Sequence, residues 1–298
     1  MKVLVTGGSG FIGSHVVEFY QRRAEVIVLD DLRTGHRRNL AGLTCRFVEG
    51  SILNRALVDE VMEGVDIVIH LAALVSVPES MSLPGETVAI NVRGLLHVLE
   101  SARNHGVKKL CFASSAAVYG ENPVQPKIET MAPDPRSPYA ITKLDGEYYC
   151  GLYAREGWLP TACLRFFNVF GPRQDPNSAY AAAVPIFLHR ARHNEPVTIY
   201  GDGGQTRDFV FVKDIVAALA FAAETPRVQG VFNVGYGHAI TIGELAAEIL
   251  RLTGSQSRIR HEPVRAGDIR HSTSDPAKLL SAGWIPSFDV RSGLEQMK

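Results

Sequence analysis

The sequence predicts an α/β fold: a doubly wound parallel sheet followed by a smaller C-terminal lobe. Two observations carry that expectation. Strand-like and helix-like stretches alternate through the first half of the chain, the order that lays helices over a mostly parallel sheet. Most of the strand-like stretches are continuous apolar runs, as strands are when both faces of their sheet are covered. After about residue 167 the pattern changes, with shorter elements and clustered glycines and prolines.

Taken in order, strands are predicted at 2–6, 25–30, 45–48, 65–70, 108–113 and 160–166, and helices between them at 11–22, 54–62, 84–105 and 138–156. The later part predicts a helix at 184–193, strands at 197–200 and 208–211, and helices at 212–224 and 241–253. A strand near 258–261 and a short helix at 275–281 follow. The expected division is a nucleotide-binding domain over 1–167, with part of 212–235 packing back on it, and a mainly substrate-binding lobe over 168–298. No linker-like segment separates the two, so interwoven lobes with a cleft are expected rather than tethered domains.

Composition narrows the function. The chain has 298 residues, 46% of them hydrophobic, enough for a sizeable core, and a formal net charge of zero. Apart from the short HRR at 36–38 no basic run stands out, which argues against a nucleic-acid partner. No apolar stretch reaches membrane-spanning length, and a first strand beginning at residue 2 leaves no room for a signal peptide. Cys45, Cys111, Cys150 and Cys163 are scattered without metal-ligand spacing, so no metal site is expected. Buried free thiols in a reducing, cytoplasmic setting are the simplest account.

The chain opens MKVLVTGGSGFIGSHVVEFY. A strand, then Gly7-x-x-Gly10-x-x-Gly13, then an apolar helical pattern is the context of a dinucleotide-binding (Rossmann) turn. Gly7 permits the tight turn, Gly10 leaves room for a pyrophosphate against the backbone, and Gly13 lets the helix approach the sheet. The helix N-terminus offers its N–H groups to the phosphates. The second strand ends at Asp30, whose carboxylate can bind both ribose hydroxyls of NAD and would repel a 2′-phosphate. Arg33, Arg37 and Arg38 follow and offer an alternative hold for such a phosphate, but Asp30 favours NAD over NADP.

Tyr139 and Lys143, in SPYAITKLDGE (137–147), stand at i, i+4 and so share one face of a predicted helix. Such a pair recurs by chance in many helices. Beside an ammonium, however, a phenol is favoured as phenolate and its pKa falls toward the working range of a base. Ser115, in FASSAAVYG (112–120), ends an apolar strand and could hold a substrate hydroxyl between itself and the tyrosine. The glycine turn, Asp30, His70-Leu71-Ala72-Ala73 and Ser114-Ser115 all fall at strand ends, where ligands collect in such sheets.

Together these stretches resemble the extended short-chain dehydrogenase/reductase family, in its nucleotide-sugar branch. The resemblance runs through TGGSGFIG (6–13), HLAALVSVPES (70–80), NVRGLLHVLESAR (91–103), SSAAVYG (114–120), SPYAITK (137–143), RFFNVFGPRQDPNSAY (165–180), GDGGQTRDFVFVKD (201–214), FNVG (232–235) and RAGDIRHS (265–272). Within that branch the chain looks most like the UDP-sugar 4-epimerases. Dehydratases of the family usually carry an Asp-Glu pair where Ala116 and Ala117 stand here.

The resemblance implies that Tyr139 takes the proton of the sugar 4-hydroxyl, that Lys143 lowers its pKa and holds the nicotinamide ribose, and that Ser115 hydrogen-bonds the reacting oxygen. It extends the NAD contacts from Gly7, Gly10, Gly13 and Asp30 to Phe11, Ile12, Asp31, Ser51, Ile52, Leu71, Ala72 and Ala73. Ser51 stands where the family often has an aspartate at the adenine ring. For the UDP-sugar it implies Ser76, Asn168, Arg207, Arg265, Asp268 and Ser272, the two arginines pairing with the diphosphate and Asp268 with the uridine ribose. A small residue at Ser272, where family members acting on plain sugars tend to have tyrosine, implies room for a 2-acetamido group. Asn168, where uronate 4-epimerases commonly have threonine, makes UDP-glucuronate the weaker alternative; a net nucleotide-sugar oxidoreductase is another. A homodimer is implied through helices 84–105 and 138–156, with Leu95, Leu96, Leu99, Tyr149, Leu152 and Tyr153. The chain ends at LEQMK, early for the family's closing helix.

Overall fold

The computed structural model describes residues 1–176, 182–264 and 269–298. In chain order the elements are β1 (Lys2–Thr6), α1 (Phe11–Tyr20), β2 (Glu25–Asp30), β3 (Arg46–Glu49), α2 (Arg55–Val61), β4 (Ile67–His70), α3 (Val77–Ser82), α4 (Pro84–Val88), α5 (Leu95–Asn104), β5 (Lys109–Ser115), α6 (Pro138–Arg155) and β6 (Thr161–Phe166). There follow β7 (Asn168–Phe170), α7 (Ala183–Arg192), β8 (Val197–Tyr200), β9 (Thr206–Phe211), α8 (Val212–Glu224), β10 (Gly230–Val234), β11 (Ala239–Thr241), α9 (Ile242–Thr253), β12 (Ile259–Glu262), β13 (His271–Ser272), α10 (Ala277–Ala282) and α11 (Val290–Glu295).

The chain divides into two compact units. The first comprises Met1–Gly120, Ala132–Phe166 and Val216–Phe232. Among the described residues its sheet runs β10-β6-β5-β4-β1-β2-β3. The pairs β1–β2, β1–β4, β2–β3, β4–β5 and β5–β6 are parallel. The order reverses at β1, with β2 and β3 to one side and β4 to β6 to the other. That reversal opens a crevice beyond the carboxyl ends of β1 and β4, the topological switch point of such folds. Leu4, Ile27, Leu29, Val68, Leu110 and Phe112 from the sheet pack with Val58 and Val61 of α2 and with Leu95, Val98 and Leu99 of α5 in one buried core.

The helix expected over 84–105 is not continuous. It is α-helical from Pro84 to Val88, widens into a π turn over Ala89–Gly94, and resumes as α5. The widened turn contains Asn91, which is turned into the interior. Its Oδ1 accepts from the Leu74 amide at 2.8 Å, and its Nδ2 donates to the Leu74 carbonyl and to Thr142 Oγ1, each at 3.0 Å. Widened turns of this kind are frequent at functional sites.

The second unit comprises Glu121–Met131, Phe167–Ile215 and Asn233–Lys298. Its centre is a small sheet in which β9 pairs antiparallel with β11 and parallel with β13 and β7. Parallel β8 and β12 form a separate two-stranded ribbon. Asp208 of β9 is fully buried and gathers the unit's loops. It accepts from the amides of Tyr236, Gly237 and Ser274, and from the Ser274 hydroxyl.

All four cysteines are free thiols, Cys111, Cys150 and Cys163 buried and Cys45 half-buried. Among the described residues no helix is long and apolar enough to cross a membrane. Of the apolar residues considered for subunit pairing, Leu95, Leu99 and Tyr153 are buried within the first unit. The large apolar side chains exposed on these helices are instead Val88 of α4 and Ile141 and Tyr148 of α6.

Candidate active site

The glycine turn sits at the switch point. Gly7 has φ +73°, and a Cβ there would lie 2.8 Å from the Ala72 amide nitrogen, so the turn after β1 is pressed against the chain leaving β4. A Cβ on Gly13 would stand 2.1 Å from the Gly7 carbonyl oxygen, which only glycine avoids. Gly10 differs. Its φ is an ordinary −74°, and the one close neighbour of a Cβ would be the Gly7 oxygen at 3.2 Å. Protein packing asks little of that position, whereas a ligand laid against the backbone would need it bare. The first amide bonded along α1 is that of Ser14, to the Gly10 carbonyl. The N–H groups of Phe11, Ile12 and Gly13 precede it, with no side-chain cap and no acidic residue in the first turn.

Asp30 ends β2 and is buried. Burial raises its pKa, and hydrogen bonds from the backbone of Leu32 and Ser9, both at 2.8 Å, oppose the rise. One bond falls on each oxygen, leaving each with a further lone pair for a ribose hydroxyl. Arg33 is engaged elsewhere, by Glu79 of α3 at 2.9 Å and by Glu86 of α4, and Arg37 by Glu49 at 2.8 Å. A 2′-phosphate would therefore meet the Asp30 carboxylate while these guanidinium groups are already neutralised. A bare Gly10, a helix N-terminus and a two-acceptor carboxylate fit a dinucleotide of the NAD type.

Asp31 is exposed and accepts from the Arg33 amide. Ser51 Oγ accepts from the Leu53 amide, and Ile52 is buried against Gly94. Leu71 and Ala72 are tied by their amides to the Thr6 carbonyl and hydroxyl, which keeps the chain leaving β4 beside the glycine turn. Ala73 is half-buried in that loop. Ser76 caps α3 by accepting from the Glu79 amide at 3.1 Å.

The three residues singled out for chemistry come together at the ends of β5 and α6. Ser137 caps α6, Pro138 occupies its first turn, and Tyr139 and Lys143 follow on one face. Lys143 is buried, its Nζ donating to the Ala113 carbonyl at 2.7 Å and lying 4.9 Å from the centre of the Phe112 ring and 5.7 Å from that of Tyr139. Burial lowers its pKa to about 8. His70, buried at the end of β4 and stacked on Phe112, is held near 3 by burial and then by the Lys143 charge. It therefore serves as a neutral partner of Thr6 Oγ1, at 2.8 Å.

Tyr139 departs from the sequence expectation. Burial raises its pKa, and the hydrogen bond with Ser115 pulls in the other direction without cancelling the rise. The charge argument from the sequence left out desolvation, which here outweighs it. Ser115 Oγ also accepts from the Ala117 amide at 3.1 Å and opens the short 3-10 turn Ala116–Tyr119.

In the second unit, Asn168, Arg207 and Ser272 lie on three adjacent strands of one sheet. Ser272 is the register partner of Arg207, and Asn168 of Phe209 two residues further on. The pleat thus directs all three toward the same face. Arg207 Nη1 donates to the Thr206 carbonyl, and Asn168 Nδ2 to the Asp208 carbonyl at 3.0 Å. Arg265 and Asp268 lie outside the described residues.

Residues 3–235 match the profile of the NAD dependent epimerase/dehydratase family. The chain belongs to that family. Its cofactor is NAD, and it is similar to several UDP-sugar 4-epimerases. The structure of UDP-N-acetylglucosamine 4-epimerase from Methanobrevibacter ruminantium M1, in complex with UDP-N-acetylmuramic acid, superposes with a TM-score of 0.96 at 37% identity, covering 99% of this chain and 96% of that one. UDP-glucose 4-epimerase from Thermotoga maritima, with UDP-glucose, gives 0.94 at 39% identity, covering 99% and 97%. UDP-glucose 4-epimerase of Mycolicibacterium smegmatis is 35% identical over 302 residues, 99% of this chain and 96% of the relative. The chain is thus an isomerase of the UDP-sugar 4-epimerase type within the epimerase/dehydratase family.

Sequence reasoning passed over several residues that build this candidate site. Ser80, fully buried in α3, accepts from the Tyr139 amide at 3.2 Å and so fixes the start of α6. Asn91 ties α6 to the loop after β4. Glu147, on the Tyr139 face of α6, takes the Ser114 hydroxyl and Arg165. For Glu147 there was a signal: a carboxylate at i+4 from Lys143 on a helix face otherwise destined for burial.

Proposed function

We propose that the chain interconverts the C4 epimers of a UDP-hexose through a transient 4-keto sugar. UDP-N-acetylglucosamine and its galacto epimer are the best-fitting pair, with UDP-glucose and UDP-galactose accepted beside them. One observation carries the reading: directly after Ser115, in a site with Tyr139 and Lys143, the next two positions, Ala116 and Ala117, offer only methyl groups. Oxidation and reduction at C4 need one proton carrier, whereas loss of water needs a further acid and base.

The glycine turn, the N–H groups of Phe11, Ile12 and Gly13, and Asp30 would hold NAD, with Lys143 at its nicotinamide ribose. NAD supplies a reversible two-electron acceptor beside the sugar. Tyr139, as phenolate, takes the proton from the 4-hydroxyl while Ser115 holds the same oxygen. Burial alone leaves Tyr139 a reluctant acid, so forming the phenolate would call on the positive charge of Lys143 and of bound oxidised NAD beside it. The ketone turns about its diphosphate, held by Arg207 and Arg265, and is reduced on its other face, with Tyr139 returning the proton. Firm pairing at the phosphates and a roomy sugar pocket suit that turn.

The small side chain of Ser272, in register with Arg207, supports a sugar carrying an acetamido group, as does likeness to the Methanobrevibacter enzyme. Asn168 supports hexoses over uronates. Ile141 and Tyr148, seven residues apart on α6 and both exposed, offer an apolar stripe for pairing into a homodimer, which sedimentation would measure. The deciding experiment incubates the protein with UDP-glucose, UDP-N-acetylglucosamine and UDP-glucuronate, adding no coenzyme, and resolves the products by NMR. Epimers at C4 are expected from the first two. Absorbance near 340 nm growing with turnover would instead establish a net oxidoreductase. Tyr139→Phe should lower turnover by about 100- to 10,000-fold with NAD still bound.

A further inference from the structure

Three consecutive residues at the end of β5 are each tied to α6, one tie per helical turn. Tyr139 shares a hydrogen bond with Ser115, Lys143 donates to the Ala113 carbonyl, and Glu147 accepts from the Ser114 hydroxyl. Tyr139, Lys143 and Glu147 follow at i, i+4 and i+8, one face of the helix. The first two ties belong to the proposed chemistry. The third takes no part in it, yet it is the most elaborate of the three.

Glu147 and Arg165 are 5% and 4% exposed. Arg165 Nε donates to Glu147 Oε1 at 2.8 Å and Nη2 to Oε2 at 2.7 Å, a bidentate pair. Arg165 is also the register partner of Ser114 across β5 and β6, so one carboxylate from the helix bridges two neighbouring strands at their ends. The Arg165 guanidinium lies 4.7 Å from the ring centre of Tyr119, which closes the 3-10 turn that Ser115 opens. On either side of Ser115, Ser114 before it and Tyr119 at the close of its turn both lead to this ion pair. Burying two charges is costly, and apolar residues of the same shape often hold a fold as well or better. Stability alone does not call for ions here.

We propose that the Glu147–Arg165 pair is a positioning device for the reaction. It holds Ser114, and through it the Ser115 hydroxyl, in register with Tyr139. Successive side chains of a strand alternate in direction, so fixing Ser114 fixes Ser115. The inference rests on the assignment of Ser115 and Tyr139 to the chemistry given above.

Ser114→Ala removes one hydroxyl from a strand position and leaves the ion pair in place. Its kcat should fall by about 10- to 100-fold, the scale of an ångström-sized misplacement. KM for the UDP-sugar should stay within about twofold and bound NAD should match the parent, a split that loss of fold or of binding would not produce. Ser114→Thr, which restores the hydroxyl, should recover most of kcat. Glu147→Gln, which keeps the shape and removes the charge, should show the same split as Ser114→Ala. Unchanged kcat in Ser114→Ala, or a loss shared equally with KM and NAD content, overturns the proposal. Tyr139→Phe, measured alongside, separates the two levels. If it retains turnover, the assignment of the base fails and this inference with it. An inactive Tyr139→Phe beside an unimpaired Ser114→Ala overturns this inference alone.

Discussion

Gly10 and Gly13, three residues apart in one turn, should both lose NAD on substitution by alanine but differ in what the fold loses. In Gly13→Ala the new Cβ would stand 2.1 Å from the Gly7 oxygen and 2.7 Å from the Gly8 Cα. Both obstacles are backbone, so helix α1 must retreat by about 1 Å to reach ordinary carbon–oxygen contact. Val16, Val17 and Tyr20 are fully buried on that helix, and a gap of that size forfeits about a quarter to a half of each packing contact. Overpacking of this kind costs about 1–3 kcal/mol. At about 2–3 °C per kcal/mol for a chain of this length, Tm should drop by about 2–9 °C. Retreat of α1 also withdraws the N–H groups of Phe11 and Ile12, so bound NAD should fall too. Gly10→Ala meets one neighbour at 3.2 Å with φ already ordinary. Its apoprotein should keep its Tm within about 3 °C, a change of under 1 kcal/mol, while the methyl group takes the space of the pyrophosphate and NAD is lost. Differential scanning calorimetry of the apoproteins, with NAD titrated by fluorescence, tests both. A Gly10→Ala protein that binds NAD like the parent, or a Gly13→Ala protein with unchanged Tm, would refute the reasoning.

Three further outcomes follow from the same geometry. Burial lowers the Lys143 pKa from 10.5 to about 8. The unfolded chain therefore binds the extra proton between those values, and this residue's contribution to stability rises with pH from about 8 to about 10.5. Below pH 8 the penalty is constant at about 3 kcal/mol. Apo Lys143→Met should lose that rise and, after forgoing the bond to Ala113, be no less stable than the parent at pH 7, while turnover falls at least about 100-fold; urea titrations at pH 7 and 10 measure the first part. Ser272→Tyr should depress kcat/KM for UDP-N-acetylglucosamine more than for UDP-glucose, and equal losses would remove Ser272 from the sugar pocket. Asp30→Ser should weaken NAD by about 10- to 100-fold, the worth of hydrogen bonds to a charged group, and narrow the preference over NADP; an unchanged preference would move cofactor selection elsewhere.

The long parallel strands were legible because burial on two faces leaves no room for polar residues in the run. EVIVLD and LCFAS could scarcely be anything else. The glycine turn was legible because steric demands at Gly7 and Gly13 admit one residue type each. The short strands β7, β11 and β13 escaped notice, since two or three residues carry no period and their pairing is decided by β9. Helix α3 escaped for the same reason: Ser76 and its proline start it, and it ends within two turns. At the candidate site, Tyr139 and Lys143 could be picked out by spacing and Ser115 by its place at a strand end, but the Glu147–Arg165 pair could not. Its meaning depends on β5 and β6 lying side by side, which residue types alone do not state. The Tyr139 pKa was misjudged for a related reason. Charge neighbours can be inferred from an i, i+4 interval, whereas the depth of a ring in its surroundings belongs to the assembled fold.

The widened turn at Ala89–Gly94 makes this stretch tolerant of a change in length in a way that ordinary helices are not. It joins two helical phases, one that turns Asn91 inward toward Leu74 and Thr142 and one that buries Leu95, Val98, Leu99 and Ala102. Removing one residue from an ordinary helix rotates everything beyond it by about 100°, whereas here the widened turn holds the surplus residue and its loss would restore regular winding with the leucine face still inward. What a one-codon deletion would cost is the clamp made by Asn91.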